Sequence, residues 1–164
     1  MRLRHLLKRL RGLTDTTGAN LVEAALIVPL LLVLTFGIVD FASMFYVYLA
    51  LENGVSVATR YAITGQAMDD PGTPGSKMSR DDSIKTAMRE ATPTITLSDA
   101  AFTFTHMPPG SAVWSGGSGG PGDVGRVTVQ YTWSPLTPIL VPFLTNGQLK
   151  VSVDSAMKNE AKFQ

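Results

Sequence analysis

The sequence predicts an α+β protein. An N-terminal transmembrane helix extends into a longer helix, and a small extracytoplasmic domain follows with one short helix and a three- to four-stranded antiparallel sheet. Three observations predict it. Ala24 to Val39 carry no charge and are bracketed by Glu23 and Asp40. From Phe41 to about Ala67 no proline intervenes, and small and apolar residues recur near helical spacing. Beyond residue 94 the apolar period becomes two, as in half-buried strands. The chain accordingly divides into a basic leader (1–18), a transmembrane helix (19–43), an extended helix (44–68) and an extracytoplasmic α+β domain (69–164) carrying a Gly-rich loop (108–125).

The 164 residues hold at most one ordinary domain besides a membrane segment. Net charge is only +1, but its placement is uneven: Arg2, Arg4, Lys8, Arg9 and Arg11 all precede the first acid, Asp15. A basic flank directly before a span stays in the cytoplasm, which puts the C-terminal part outside. A nucleic-acid arm is the competing reading of such a cluster. The apolar span that follows so closely argues against it, and no nucleic-acid partner is expected. There is no cysteine, so neither a disulfide framework nor a cysteine-based zinc site can form.

The span itself comes first among the elements. About 20 mostly apolar residues cross roughly 30 Å of hydrocarbon, whereas a buried core helix typically offers a run of about 10–14. Leu21 to Leu51 is interrupted only by Glu23 and Asp40. Pro29 and Gly37, unfavourable in a water-soluble helix, are tolerated in membrane helices, and Pro29 is expected to kink or loosen this one. The sequence after the apolar run, Asp40-Phe-Ala-Ser-Met-Phe45, is a poor site for ordinary signal cleavage, so the informative junction lies before it, at Gly18-Ala-Asn-Leu-Val-Glu23.

A basic leader, Gly18, Glu23 five positions later and then an apolar helix resemble the processing site of type IV prepilins. More narrowly, Gly18, Glu23, Pro29 and the Asp40-Phe41 pair resemble the opening of the TadE-like proteins, minor pilins of tight-adherence (Flp) pilus systems. Ala24 stands where that family commonly has an aromatic. The close resemblance covers roughly residues 18 to 65, and Pro135-Leu-Thr-Pro138 extends it weakly. It implies cleavage between Gly18 and Ala19 by a prepilin peptidase. It also implies partners among other pilins and pilus or secretion components, with Glu23, Pro29, Asp40 and Phe41 serving helix packing and assembly. The location implied is the bacterial cytoplasmic (inner) membrane, single-pass, with the N-terminus in the cytoplasm and the C-terminal domain periplasmic or extracellular, or in the pilus.

The chemistry of the junction supports that role on its own terms. Cutting after Gly18 creates a positive amine on Ala19, and Glu23, four residues along, shares its helix face. The acid would then sit in the first helical turn, where it complements the helix dipole. A carboxylate at the start of a span is costly unless paired and often marks a functional contact. The bland alternative makes Glu23 a helix-start residue in the headgroup region.

Beyond Asp40, Tyr46 and Tyr48 are candidates for the interfacial aromatic belt. Phe45, Leu49, Val55, Ala58 and Ala62 approximate one apolar stripe of the extended helix, with Gly54 a weak point in its continuity. Asp69 to Ser76 reads as a loop, and Ser79 to Ala91 as a short helix capped by Ser79, with Ile84, Ala87, Met88 and Ala91 on one face. Strands are expected at Thr94–Leu97, Ala101–Thr105, Val127–Trp133 and Leu149–Asp154. The Gly-rich stretch 108–125 reads as a flexible surface loop, since no Gly-Lys-Ser/Thr follows to bind phosphate. Ser134 to Leu144 is apolar but carries Pro135, Pro138 and Pro142, which suits a connection covering the sheet or touching the membrane surface or a partner.

Catalysis finds little support. His5 and His106 are too few for a histidine metal cluster, and no nucleophile motif occurs. Asp69, Asp70, Asp81 and Asp82 lack EF-hand spacing and read as caps or solvated loop residues. No enzyme activity, cofactor, metal or small-molecule substrate is expected. The function expected is that of a TadE-like minor pilin or pseudopilin in pilus assembly. The alternative is an unprocessed membrane anchor presenting a small binding domain.

Overall fold

From Thr16 to Ile63 the chain forms one unbroken helix of 48 residues, α1, in a computed structural model that describes residues 16–163. At 1.5 Å per residue α1 is about 70 Å long. The basic residues of the expected leader lie outside the described residues. Span and extension are thus a single element. It stops short of the expected residue 68 because Gly65 adopts φ +68° and returns its N–H to the Ala62 carbonyl, an end that left-handed glycine favours.

Between Leu51 and Ala62 one stripe of α1 is buried: Leu51, Val55, Ala58 and Ala62, at helical spacings of four and three. Phe45 and Leu49, expected on that stripe, are half exposed instead. They lie off the line that the buried residues define.

The loop after α1 is closed by an isolated bridge between Asp69 and Lys77. The second helix, α2, spans Arg80–Ala91. Ser79 caps it as expected: its hydroxyl oxygen accepts from the Asp82 N–H at 3.1 Å and donates to the Asp82 carboxylate at 2.6 Å. Lys85 first, and Ser79 second, hold the Asp82 carboxyl below its ordinary value. α2 runs antiparallel to α1, with the Arg80 guanidinium donating to the Ala62 carbonyl and Met88 and Thr92 packed over Gly54. Ile84, Ala87 and Met88 are buried there.

Four strands form one antiparallel sheet in the order β2-β1-β3-β4: β1 Phe102–Met107, β2 Ser115–Gly116, β3 Val124–Trp133 and β4 Leu149–Lys158. The long pair is β3 with β4, in register from Val124↔Lys158 to Trp133↔Leu149. Val127, Val129, Trp133, Val151 and Val153 turn inward and meet α1 and α2 in a single core with Phe102. The alternating residues seen in the sequence produce this face.

Two strand expectations need correction. Thr94–Leu97 is no strand; Ile95 and Leu97 are buried, but the segment turns rather than pairs. The fourth strand is instead β2, inside the Gly-rich stretch, where Ser115 pairs with His106 and Gly116 with Thr105. Asn159 holds that stretch further, its amide donating to the Ser118 and Gly120 carbonyls. Part of this surface loop is thus tied to the sheet's margin.

The directions of these elements give the domain two ends. Thr94, Trp133 and the connection 134–148 lie beside residues 40 to 46 of α1. Residues 107 to 124 and the C-terminal turn lie by Ile63, whose carbonyl accepts from the Glu160 N–H.

Candidate functional site

Six residues carried the expectations, and all lie on α1. Gly18, Ala19, Glu23 and Pro29 are exposed along its first turns, and a Cβ built on Gly18 would meet nothing within 4 Å. Among the described residues nothing buries this part of the helix, the stretch of α1 that is long and apolar enough to cross a membrane. In this uncut chain the helix begins at Thr16, so no acid occupies its first turn. Glu23 enters a first turn only if the chain starts at Ala19, and only there does it gain the amine as a neighbour on its own face. Pro29 sits within the helix without ending it, and its missing N–H leaves the carbonyl of Ala25 without its usual partner.

Asp40 behaves differently. It is wholly buried, whereas Phe41 beside it is 62% exposed and stacks on Phe45 with centroids 6.3 Å apart. The reason is positional. Counting back from the buried stripe gives Val47, Met44 and Asp40, so the acid occupies the last position of the line that faces the sheet. A carboxylate there must find donors, because an unsatisfied buried charge is strongly destabilising.

It finds three, all in the proline-rich connection. Asp40 Oδ1 accepts from the N–H of Leu136 at 2.8 Å and of Thr137 at 3.0 Å. Asp40 Oδ2 accepts from the Thr137 hydroxyl at 2.6 Å. The Asp40 carbonyl accepts from the Ser43 hydroxyl at 2.9 Å, and Ser43 in turn accepts from Trp133 Nε1 at 3.3 Å. The end of β3 and the turn after it are thereby tied to the C-terminal end of the charge-free stretch of α1. Pro135 and Pro138 on either side fix the backbone so that both N–H groups converge on one carboxylate.

Ser43, Trp133, Leu136 and Thr137 escaped the sequence reading. The signal lay in Asp40 falling on the core stripe at spacings of four and three, together with a Pro-Leu-Thr-Pro turn rich in donors. Tyr46 and Tyr48, read as belt residues, have partners within the chain: Tyr46 shares a hydrogen bond with the Thr94 hydroxyl, and Tyr48 donates to Glu52. Glu52 first, by that bond, raises the Tyr48 phenol above its ordinary value. Among the described residues no group of three or more His, Asp or Glu side chains is placed to hold a metal ion.

No curated protein and no solved structure matches the chain. Residues 18–60, from the glycine of the junction to the buried stripe of α1, match the family model described as TadE-like protein, the family that Gly18, Glu23, Pro29 and the Asp40-Phe41 pair resemble.

Proposed function

We propose that the protein is a TadE-like minor pilin or pseudopilin that takes part in assembling a tight-adherence (Flp, type IV-like) pilus. The observation that carries this reading is the family match over residues 18–60, which coincides with a helix whose apolar first half is left exposed by the described residues. In this reading the leader stays in the cytoplasm, and a prepilin peptidase cuts between Gly18 and Ala19. The mature chain stays in the cytoplasmic membrane through residues 19–43, with its domain outside. Its work is packing. The new amine of Ala19 and the carboxylate of Glu23 provide a polar contact within hydrocarbon, where few alternatives compete for it. Small side chains such as Ala24, Ala25 and Gly37 let a neighbouring pilin helix approach closely. Partners of the outer domain are other pilus and secretion components.

A strain lacking the protein tests this, complemented with the native chain or with Glu23→Leu. The native chain restores surface pili. The Glu23→Leu protein reaches the membrane at normal levels but fails to restore them. Normal piliation in the uncomplemented strain would reject the role in assembly.

A further inference from the structure

The connection between β3 and β4 has an unusual surface. From Val127 to Leu149 there is no charged residue, and Leu136 (71% exposed), Phe143 (81%) and Val141 (42%) stand out into solvent. Exposed large apolar side chains gathered on one uncharged loop point to a surface that meets something apolar. Its position says with what. The three hydrogen bonds from Leu136 and Thr137 to Asp40 fix it beside the residue at which the apolar span ends. A helix rising 1.5 Å per residue crosses roughly 30 Å of hydrocarbon in about 20 residues, so a span that begins near Leu21 leaves the hydrocarbon near Asp40.

Half of the twelve backbone N–H groups of the connection are paired within the chain, which suits the hydrated lipid interface rather than the hydrocarbon itself. Non-helical backbone is excluded from lipid chiefly by unpaired N–H and C=O groups. Here Pro135, Pro138 and Pro142 carry no N–H, while Leu136 and Thr137 donate to Asp40. Phe143, Leu144, Gly147 and Gln148 each donate to a carbonyl three residues earlier. Leu144 turns back against the core and anchors the far side of the loop. Exposed Lys150 follows at once and can face lipid phosphates.

We infer that the Ser134–Gln148 connection is a second membrane contact: an apolar loop clamped by Asp40 at the end of the span so that Leu136 and Phe143 enter the outer lipid interface. This rests on the reading of α1 as the membrane helix. The domain then stands on the bilayer at two points and cannot swing freely about the helix. The exposed Phe41 and Phe45 lie at the same level. Val113, equally apolar and 68% exposed, belongs to the opposite end and stays in water.

The native chain has no cysteine, so single-cysteine spin labels test this directly. The full chain is reconstituted in vesicles of phosphatidylethanolamine and phosphatidylglycerol, labelled at Leu34→Cys, Phe143→Cys or Val113→Cys. Collision with oxygen is compared with collision with a water-soluble nickel chelate. The expected result is oxygen-favoured collision at Leu34→Cys and Phe143→Cys and nickel-favoured collision at Val113→Cys. Adding Asp40→Asn should move only the Phe143→Cys label towards water. A lipid-exposed Leu34→Cys label with a nickel-accessible Phe143→Cys label overturns the inference and leaves the span intact. A Phe143→Cys label shielded from both reagents means that protein, from this chain or a second copy, covers the loop, which also overturns it. A Leu34→Cys label in water removes the span reading itself, and the inference with it.

Discussion

Asp40 is the residue on which the joint between span and domain depends. Replacing it with alanine removes the acceptor of two backbone N–H groups and one hydroxyl, and leaves the N–H groups of Leu136 and Thr137 without their partner. An unsatisfied group costs about 1–3 kcal/mol when buried, and these donors are only partly so; Asp40→Ala should therefore destabilise the domain by about 1–3 kcal/mol in denaturant unfolding followed by tryptophan fluorescence. Phe41→Ala, one position along and on the open face, should change stability by no more than about 0.5 kcal/mol. A comparable loss in both variants would mean that the carboxylate clamp is not what holds the joint. The sequence made Asp40 legible as the end of the charge-free run, but not as buried, because its donors lie 96 and 97 residues further on. Glu23 shows the reverse. Its meaning came entirely from local spacing, and the uncut helix leaves it exposed without a first-turn position.

Among the elements, the contact between α1 and α2 turns on Gly54. A Cβ there would lie 2.4 Å from Thr92 Cγ2 and 3.3 Å from Met88 Cε. Alanine gains about 1 kcal/mol in helix propensity over glycine, but a methyl forced into this contact must displace buried Thr92. Overpacking of that kind costs typically 1–3 kcal/mol, so Gly54→Ala should lower the thermal midpoint of the domain, and an unchanged or raised midpoint would contradict the close approach. The glycine that looked like a weak point in the helix is where Thr92 and Met88 pack against it. α2 was legible because its signals are local: Ser79 as the cap, acids in the first turn, and a face of Ile84, Ala87 and Met88. The sheet was only half legible. β3 and β4 alternate because one face meets the helices, except at the start of β4, where Leu149 is exposed like Lys150 after it. Thr94–Leu97 alternates too, yet alternation reports which side chains turn inward and not whether the backbone is paired. β2 has no inward face at all, both its residues being exposed, so no pattern marked it within the glycine-rich stretch.

At the scale of the whole molecule, one helix serves two environments. Among the described residues its largely apolar first half is left exposed, while its second half presents one stripe to the sheet and α2. That division was legible in the sequence, since all-round hydrophobicity gives way to one-sided hydrophobicity near Asp40. What was not legible is how the domain returns to that boundary, which depends on long-range pairing of β3 and the proline-rich turn after it. The proposed role asks the exposed half to exchange lipid for pilin helices after cleavage at Gly18. The most direct test is the N-terminal residue and intact mass of the protein purified from native membranes, beside a Gly18→Ala variant. The account predicts a native chain that starts at Ala19 and a variant that retains everything before it. A native chain that still begins at Met1, in cells whose prepilin peptidase is active on other pilins, would contradict it.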